Sequence, residues 1–394
     1  MIQQTVRALE IITTLATAGS LAYYALCLWA AASFSRVMKL ADKSVRLPQP
    51  YPPVSILKPL KGTDPGMYEN FRSHCLQDYP EYEIIFGVSE PDDPAVKLVE
   101  QLKSEFPERA LRLIVCSKRL GANTKVSNLV QMLPQARYEH LIVNDSDIRV
   151  PTDYLRRVLA PLTDSGTGLV TCLYRGIANS TLGSRLESLG ISTDFCPGVL
   201  VARQLEGIKF ALGSTMAFRR RDLAAIGGFE ALLDYLSDDY QLGRRIAGLG
   251  LKIALSDPVV DTLLPGYTLN QFLAHQLRWA RSVRDSRTWG YVGMGVTFGL
   301  VWAFLTLIFA GGAGWAWELL AATAALRFAV ARFVGVRVLR DRQAMRWLPL
   351  IPLRDAMAAL VWLISFAGHT VSWRGDVFTL RNGKLIPSTD TSAK

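Results

Sequence analysis

The tripeptide Asp145-Ser146-Asp147 follows a run of apolar and β-branched residues, 140–144, that predicts a buried strand. Two carboxylates one residue apart at the end of a strand can both face one divalent cation. Their hard oxygen atoms suit Mg²⁺ or Mn²⁺, whose remaining ligands would be substrate phosphates and water. Acidic tripeptides of this kind also occur in surface turns, but the position at a strand end favours a metal site.

Two other acidic segments each have a structural and a chemical interpretation. At 89–94, Asp92 and Asp93 follow a predicted strand and are typical of a turn that starts a helix. Alternatively, their carboxylates accept hydrogen bonds from the base or ribose of a nucleotide. At 237–240, Ser237 predicts a helix N-cap with acids in the first turn. In the chemical interpretation Asp239 is a general base, which must reach the attacking hydroxyl.

The pentapeptide His275-Gln276-Leu277-Arg278-Trp279 lies in an amphipathic stretch just before an apolar region. An arginine and an aromatic residue at such a place often anchor a helix at a membrane interface. The alternative is that the planar guanidinium of Arg278 pairs with a diphosphate and that the indole of Trp279 stacks on a sugar.

Residues 48–284 must position these side chains, and short β-branched runs alternate there with helical periodicity. The predicted strands are 53–57, 82–88, 111–116, 140–144 and 168–173. The predicted helices are 67–75, 95–106, 124–133 and 152–163. Such alternation favours an α/β fold with a parallel sheet covered on both faces, whose ligands bind beyond the carboxyl ends of the strands.

The 394-residue chain carries a formal net charge of +10, and half of its residues are hydrophobic. Its basic residues form no long stripe with interleaved aromatic residues, which argues against nucleic acid as a partner. The five cysteines contain no CxxC pair and the four histidines do not cluster. These spacings argue against a disulfide framework and against a zinc site.

Residues 11–35 contain no charged side chain and are long enough for a helix that crosses a hydrocarbon core of about 30 Å. The alternative, a secretory signal peptide, would have a shorter apolar stretch followed by a cleavage site. Only Arg7 precedes this stretch as a basic residue, whereas four follow it closely: Arg36, Lys39, Lys43 and Arg46. The positive-inside rule therefore predicts that the next domain is cytoplasmic.

The apolar C-terminal region predicts three further spans, at about 290–310, 315–336 and 350–371. Gly311, Gly312 and Gly314 offer a turn between the first two. The uncharged part of the third, 356–371, is short for a span, with Arg354 and Asp355 at its entrance, and either crosses the membrane or lies in its interface. We therefore divide the chain into an N-terminal membrane helix with a basic linker (1–47), a cytoplasmic catalytic domain (48–284) and a C-terminal membrane region with a short tail (285–394).

In chain order, the acidic groups and the Arg-Trp pair resemble the D, D, D, (Q/R)xxRW signature of inverting glycosyltransferases related to family two. More narrowly, the chain is similar over essentially its whole length to the ceramide glucosyltransferase family, glycosyltransferase family 21. The matching segments are 55–62, 92–95, 125–129, 145–149, 237–240 and 370–374. Bacterial members that build glycosylated hopanoids are especially similar, at 168–176 and 225–232. His275 departs from the pattern, which has Gln or Arg at that position.

The resemblance implies a GT-A (Rossmann-like) domain with transmembrane helices on both sides. It implies a hexosyltransferase that moves a hexose or N-acetylhexosamine from a UDP-sugar to the hydroxyl of a membrane lipid, either ceramide or a hopanoid such as bacteriohopanetetrol. By position, Asp239 is the catalytic base and Asp145 and Asp147 bind a divalent metal, Mg²⁺ or Mn²⁺. The implied donor-binding residues are Asp92, Asp93, Lys125, Asp145, Arg278 and Trp279. The implied location is the bacterial inner membrane.

Two related enzyme classes and one unrelated class are the alternatives. A processive polysaccharide synthase usually has more spans and keeps the Gln of QxxRW. A polyprenyl-phosphate glycosyltransferase differs in using a phosphate as acceptor. A transporter would place its polar residues inside the spans, whereas the acidic groups of this chain precede the C-terminal apolar region.

Overall fold

The computed structural model describes residues 1–44, 51–373 and 376–387. Arg46, Arg374 and the predicted domain boundary after residue 47 lie outside these ranges, as does the side chain of Lys43. The chain divides into two compact units. The helical unit comprises 1–37, 178–205 and 266–375, and the sheet unit comprises 38–177, 206–265 and 376–394.

The elements are numbered in chain order. The helices are α1 (Ile2–Ser44), α2 (Met67–Cys75), α3 (Ala95–Glu105), α4 (Thr124–Met132), α5 (Tyr154–Leu159), α6 (Leu182–Gly190), α7 (Cys196–Leu205), α8 (Arg220–Ala225), α9 (Asp238–Gly248), α10 (Leu269–Ser286), α11 (Thr288–Gly293), α12 (Gly299–Phe309), α13 (Gly314–Ala331), α14 (Arg342–Trp347) and α15 (Ile351–Ser365). The strands are β1 (Val54–Pro59), β2 (Tyr82–Val88), β3 (Ala110–Val115), β4 (His140–Val143), β5 (Ile148–Arg149), β6 (Thr167–Ile177), β7 (Met216–Arg219), β8 (Lys252–Leu263), β9 (Thr370–Trp373), β10 (Asp376–Arg381) and β11 (Lys384–Pro387). Short 3₁₀ turns lie at Leu133–Gln135, Ala160–Thr163, Phe229–Leu232, Met294–Thr297 and Leu348–Leu350, and π turns lie at Ile191–Phe195 and Arg332–Val338.

The sheet unit contains an eight-stranded sheet in the order β3-β2-β1-β4-β7-β6-β8-β5. The first four strands are parallel, as the alternation of strands and helices predicts. The α/β class is thus confirmed, and the sheet is mixed because β7, which the sequence did not predict, runs antiparallel to both β4 and β6. Between β6 and β7 the chain passes through residues 178–205, which belong to the helical unit.

The strand order places a switch point between β1 and β4. From β1 the chain continues to β2 on one side, whereas β4 lies on the other side of β1 and is reached only after β3 and α4. Every residue of β1 and β2 is buried, which is what a parallel strand between covered faces requires. Ligands of open α/β sheets bind at such a point, beyond the carboxyl ends of the strands.

The helical unit contains three helices that are long and apolar enough to cross a membrane, within the residues that the structure describes. They are Ile2–Lys39, Gly314–Val338 and Arg342–Ser365. Where the sequence predicts a span at 290–310, the structure has two segments, Thr288–Thr297 and Gly299–Phe309, bent by 59°. The tyrosine hydroxyl of Tyr24 donates to the Thr297 carbonyl oxygen (3.0 Å) and accepts from the Gly299 N–H (3.1 Å), so α1 satisfies the backbone at this bend.

The last predicted span, 350–371, also differs from the structure at its end. Helix α15 ends at Ser365, and β9 begins at Thr370. Gly368 lies between them with φ +89°, a left-handed conformation that stops a helix and suits glycine. The β-branched and aromatic residues that follow form a strand instead of extending the span.

A buried ion pair joins α13 to α15. The Arg327 guanidinium donates to both carboxylate oxygens of Asp355 (2.8 and 2.7 Å) and to the Thr193 carbonyl oxygen (2.8 Å). Both charged side chains are buried. An arginine inside an apolar segment therefore has its counterion within the same unit.

Replacing Arg327 by Met is expected to lower the free energy of unfolding by about 3–5 kcal/mol, because the substitution leaves Asp355 buried without a partner. The measurement is thermal unfolding of the full chain in detergent micelles. The double variant Arg327→Met/Asp355→Leu should recover most of the loss, since it removes both buried charges. Equal losses in the single and the double variant would contradict this account.

Candidate functional site

The turn between β4 and β5 carries Asp145 and Asp147 at the switch point. The Lys58 ammonium group, at the end of β1, donates to the backbone carbonyl oxygen of Asp145 (3.2 Å) and is completely buried. Burial lowers the pKa of Lys58 to about 7, although the carboxylates of Asp147 and Asp145 oppose this shift. On the other side of the turn, the Asn70 amide donates to the Ser146 carbonyl oxygen (3.3 Å). The turn is therefore fixed by contacts with β1 and α2.

The Asp147 carboxylate accepts a hydrogen bond from the Thr262 hydroxyl of β8. Burial, reinforced by the charge of Asp145, raises the pKa of Asp147 to about 7. Two carboxylates in this arrangement repel each other, and a cation between them would relieve the repulsion. Their oxygen atoms are of the kind that Mg²⁺ and Mn²⁺ prefer.

These two residues fit a divalent cation that is completed by a bound substrate. Among residues 1–44, 51–373 and 376–387, no group of three or more His, Cys, Asp or Glu side chains is placed to hold a metal. A site formed by the protein alone is thus not present in the described chain. Two aspartates with open positions match Mg²⁺, which typically keeps waters and takes one or two carboxylates together with substrate phosphates.

Lys125 connects the metal-site candidate to the third acidic motif. Its ammonium group lies 2.8 Å from Oδ1 of Asp145 and 3.0 Å from Oδ2 of Asp238. Burial opposes the charged form, but the two carboxylates outweigh burial and raise the pKa of Lys125. The side chain of Asn123 caps α4 by accepting from the Val126 N–H (3.2 Å), and this cap sets the start of the helix that carries Lys125.

Asp239 lies beside Asp145, with Gly213 between them. The Gly213 N–H donates to Oδ2 of Asp239 (2.9 Å), and the Tyr240 N–H donates to Oδ1 (2.7 Å). A Cβ atom at position 213 would lie 3.0 Å from Asp145 Oδ2 and 3.3 Å from Asp239 Oδ2. Burial, followed by the charge of Asp238, raises the pKa of Asp239 to about 6. The residue therefore has the raised pKa and the partly covered setting of a general base.

Asp92 and Asp93 follow β2 but their contacts are those of a turn. Both carboxylate oxygens of Asp93 accept from the Gly62 N–H (3.2 and 2.9 Å), and Oδ1 also accepts from the Ala95 N–H (2.9 Å). Asp93 thus ties the loop after β1 to the start of α3. Asp92 is exposed, and nucleotide binding by Asp92 or Asp93 stays a prediction.

Arg278 and Trp279 lie in α10 of the helical unit. The Trp279 ring contacts Phe195 edge to face at 6.2 Å between centroids and is 45% exposed. His275 Nδ1 lies 3.0 Å from the Tyr267 hydroxyl, and its pKa is lowered to about 4 by burial and by Arg278. His275 is therefore neutral near pH 7. The structure places this motif in one unit and the acidic motifs in the other.

Several residues near these motifs escaped the sequence reasoning. Lys58 had a local signal, a single lysine inside a buried apolar strand, and Asp238 lay within the third acidic motif without a role of its own, whereas Gly213 had no signal that distinguished it. In the helical unit, the Gln276 amide donates to the Glu187 carboxylate, and its oxygen accepts from the Arg354 guanidinium (3.1 Å). Burial raises the pKa of Glu187 to about 7. The sequence alone does not predict this network, because Gln276 and Arg354 are 78 positions apart.

Comparisons with known proteins identify the family of the chain. A family model described as Glycosyl transferase family 21 matches residues 12–386. Ceramide glucosyltransferase 3 of Caenorhabditis elegans is 25% identical over 274 residues, which are 69% of this chain and 60% of that protein. The ceramide glucosyltransferase of Komagataella phaffii is 32% identical over 149 residues, 36% of this chain and 29% of that protein.

A bacterial relative acts on a different lipid by its name. The beta-monoglucosyldiacylglycerol synthase of Synechocystis is 27% identical over 237 residues, 59% of this chain and 48% of that protein. The chain therefore spans 60% or less of the length of these three relatives. Among solved structures, mannosyltransferase PcManGT from Pyrobaculum calidifontis in complex with GDP-Man and Mn²⁺ is 20% identical with a TM-score of 0.48, covering 88% of this chain and 99% of that chain.

Proposed function

Because the chain belongs to glycosyl transferase family 21, we propose that it transfers a hexose or N-acetylhexosamine from a UDP-sugar to the hydroxyl of a membrane lipid. The acceptor class is ceramide or a hopanoid such as bacteriohopanetetrol. The observation that carries the proposal is the gathering of Asp145, Asp147, Lys125 and Asp239 at the switch point of the sheet. The proposed reaction needs a bound diphosphate and a base, and these side chains would bind the metal that holds the diphosphate and act as the base.

The donor would bind through its diphosphate at the β4–β5 turn. Asp145 and Asp147 would hold Mg²⁺ or Mn²⁺, which when bound neutralises negative charge on the leaving diphosphate. Lys125 keeps the Asp145 carboxylate in place through its 2.8 Å contact. Asp92 is the open carboxylate after β2 and is the candidate partner of the ribose or base, while Arg278 and Trp279 are the candidates for the diphosphate and the sugar.

Asp239 would act on the acceptor as the general base. The lipid hydroxyl oxygen attacks the anomeric carbon from the face opposite the diphosphate, a new carbon–oxygen bond forms, and the bond to the diphosphate breaks. The hydroxyl proton passes to the Asp239 carboxylate, and UDP leaves. Attack from the opposite face inverts the configuration at the anomeric carbon. The two backbone N–H groups that bond Asp239 fix its carboxylate for this step.

The membrane location is part of the same proposal. Three apolar helices and one bent pair are candidate spans, and a lipid acceptor would keep its apolar tail in the bilayer. Arg36 and Lys39 follow the apolar stretch of α1, whereas Arg7 alone precedes it as a basic residue. This asymmetry supports a catalytic unit on the cytoplasmic face of the bacterial inner membrane.

The deciding experiment is mass spectrometry of lipid extracts from cells with and without the full chain, followed by assay of the purified protein with single UDP-sugars and lipids. A new glycolipid that requires the chain supports the proposal and identifies both the sugar and the acceptor. An aqueous polymer would identify a processive synthase instead. A product that forms only on a polyprenyl phosphate would identify the phosphate-acceptor class.

Gly213→Ala is expected to lower kcat by about tenfold, because the new methyl group meets both Asp145 and Asp239 and shifts each carboxylate by a few tenths of an ångström. The measurement is initial-rate kinetics with donor and acceptor varied separately. Gly248→Ala is the matched control, since a Cβ atom at the end of α9 meets nothing within 4 Å. A Gly213→Ala variant as active as this control would contradict the assigned geometry.

A further inference from the structure

The segment that leads into the third acidic motif, residues 233–236, has no helix or strand of its own. We call it the approach segment. Helix α9 begins at Asp238, two residues after it, and carries Asp239 in its first turn. A segment of this kind takes its position from the groups that bond its backbone from outside.

One side of the approach segment is bonded to the loop before α4. The Asn123 N–H donates to the Leu233 carbonyl oxygen (2.8 Å), and the Asn123 side-chain amide donates to the Tyr235 carbonyl oxygen (2.7 Å). The same loop continues into Lys125, which bonds Asp238. The loop before α4 lies close to the approach segment at Gly121: a Cβ atom there would lie 2.8 Å from the Leu233 carbonyl oxygen.

The other contacts come from the C-terminal hairpin, which consists of β10 and β11. The Leu385 N–H donates to the Asp234 carbonyl oxygen (2.7 Å), and the Leu236 N–H donates to the Gly383 carbonyl oxygen (3.2 Å). These two bonds form a short antiparallel bridge between Tyr235 and Lys384. The hairpin thus extends pairing onto a segment nearly 150 residues earlier in the chain.

The Tyr235 ring strengthens this attachment. The Lys384 ammonium group lies 5.6 Å from its centroid, and the Arg245 guanidinium of α9 also lies 5.6 Å from it. Each cation over an aromatic ring is attractive. The ring therefore links the hairpin to the helix that carries Asp239.

The hairpin is a stable platform for these contacts. Its turn is Asn382-Gly383 with φ +53° and +78°, the positive values that a two-residue hairpin turn requires. Phe378, Leu380 and Leu385 are buried, each 2% exposed.

We propose that the C-terminal hairpin is a positioning element for the catalytic base: it holds the approach segment, and through it Asp239 and the Asp238–Lys125 contact, in the arrangement that transfer requires. This inference rests on the proposed function for its effect on turnover. Asp145 and Asp147 lie on the β4–β5 turn, which has its own supports in Lys58 and Asn70. Loss of the hairpin should therefore affect kcat much more than donor binding.

The test uses one pair of truncated chains and one pair of substitutions in the full chain. One truncated chain ends after Gly375 and lacks the hairpin. The other ends after Pro387 and keeps both of its strands. The second pair is Leu385→Pro, which removes the N–H that bonds Asp234, and Leu385→Ala, which keeps it. Kinetics give kcat and the donor KM, and hydrogen exchange of peptides covering 233–239 is compared with peptides covering β1.

In the chain ended after Gly375, we expect kcat to fall by about 10–100-fold with the donor KM changed less than about threefold, as for a misplaced catalytic group. Exchange at 233–239 should become at least about tenfold faster while β1 stays protected, as expected when one local unit opens. Leu385→Pro should show the same pattern more weakly, and the chain ended after Pro387 should match the intact chain.

Each other outcome has a definite meaning. Unchanged kcat per folded molecule in the chain ended after Gly375 overturns the inference, even if its exchange is faster or its melting temperature is lower, and leaves the proposed function intact. Exchange that rises equally in β1 shows a general structural role and also overturns it. If the intact chain transfers no sugar, the proposed function fails. Independently of that result, the inference is overturned if hydrogen exchange at 233–239 is equally slow with and without the hairpin.

Discussion

Asp239→Asn is expected to lower kcat by about 10²–10⁴-fold, the usual contribution of a general base. An amide of the same shape keeps an oxygen that can accept from the Gly213 or Tyr240 N–H, but it cannot take the acceptor proton. Donor affinity should change less than about threefold, since Asp145 and Asp147 are untouched. The measurements are steady-state kinetics and equilibrium binding of the UDP-sugar. Turnover equal to that of the unaltered chain would remove Asp239 from the role.

The pH dependence gives the same residue a second signature. Burial raises the pKa of Asp239 to about 6, and the base is active only when it is deprotonated. The unaltered chain should therefore keep its activity above pH 6 and lose it progressively, about tenfold per pH unit, as pH falls below that value. With saturating Mn²⁺, which keeps Asp147 deprotonated, Asp239→Asn should lack this acidic limb. An unchanged limb in the variant would assign it to another group.

The control for Asp239→Asn is the same change at Asp78. The Asp78 carboxylate is exposed and pairs with Arg156 at 2.9 Å, and the residue precedes β2, at the edge of the sheet opposite the carboxyl ends of the strands. Exposed ion pairs contribute about 0–1 kcal/mol. Asp78→Asn should therefore leave both kcat and the pH profile unchanged, which shows that removing an aspartate charge from the sheet unit is not itself inactivating.

Asp147→Asn is expected to reduce kcat/KM by at least about 100-fold, because even an outer partner of a metal ligand accounts for 10–100-fold in metal affinity or activity. The Mn²⁺ concentration for half-maximal rate should rise by a similar factor. Chelation should abolish transfer by the unaltered chain, and added Mn²⁺ or Mg²⁺ should restore it. Chelator-resistant activity, or an unchanged metal titration in Asp147→Asn, would exclude this residue as a ligand.

The same variant should be more stable than the unaltered chain when metal is absent. Asp147 has a folded pKa of about 7, above the value of about 4 for an unfolded aspartate. The folded state thus holds the proton more tightly, and this group lowers the free energy of unfolding as pH rises from about 4 to about 7. Asp147→Asn has no such loss, so its advantage in thermal unfolding with chelator should appear over that range and persist at pH 8. A site that binds a ligand often reduces stability in this way.

Much of the first half of the sheet could be predicted from the sequence. The predicted bounds of β2 and α2, 82–88 and 67–75, are those of the structure. β2 is a mostly apolar run, and the buried residues of α2 recur at helical spacing, so neighbouring positions alone determine both elements. The prediction missed β5 and β7, whose two and four residues are too short to show a period. It also missed β8, whose twelve residues alternate in burial and do show one.

The C-terminal hairpin is a different kind of omission. Its turn, Asn382-Gly383 between alternating apolar residues, is a strong local signal for a hairpin. No strand or hairpin is nevertheless predicted there in the analysis of the sequence. Its partner could not have been found in that way. Leu385 bonds Asp234, and no pattern within either segment indicates the other.

The family, most elements of the first half of the sheet and the identity of the acidic motifs follow from the sequence, because each depends on residue types at short spacing. The surroundings of each acidic side chain became known only from the folded chain. In the folded chain, Asp93 accepts hydrogen bonds from the backbone N–H groups of Gly62 and Ala95, and Asp145 pairs with the ammonium group of Lys125. The physical reason is that burial and charge at a carboxylate are set by groups distant in sequence, which meet only when the strands on both sides of the switch point are assembled.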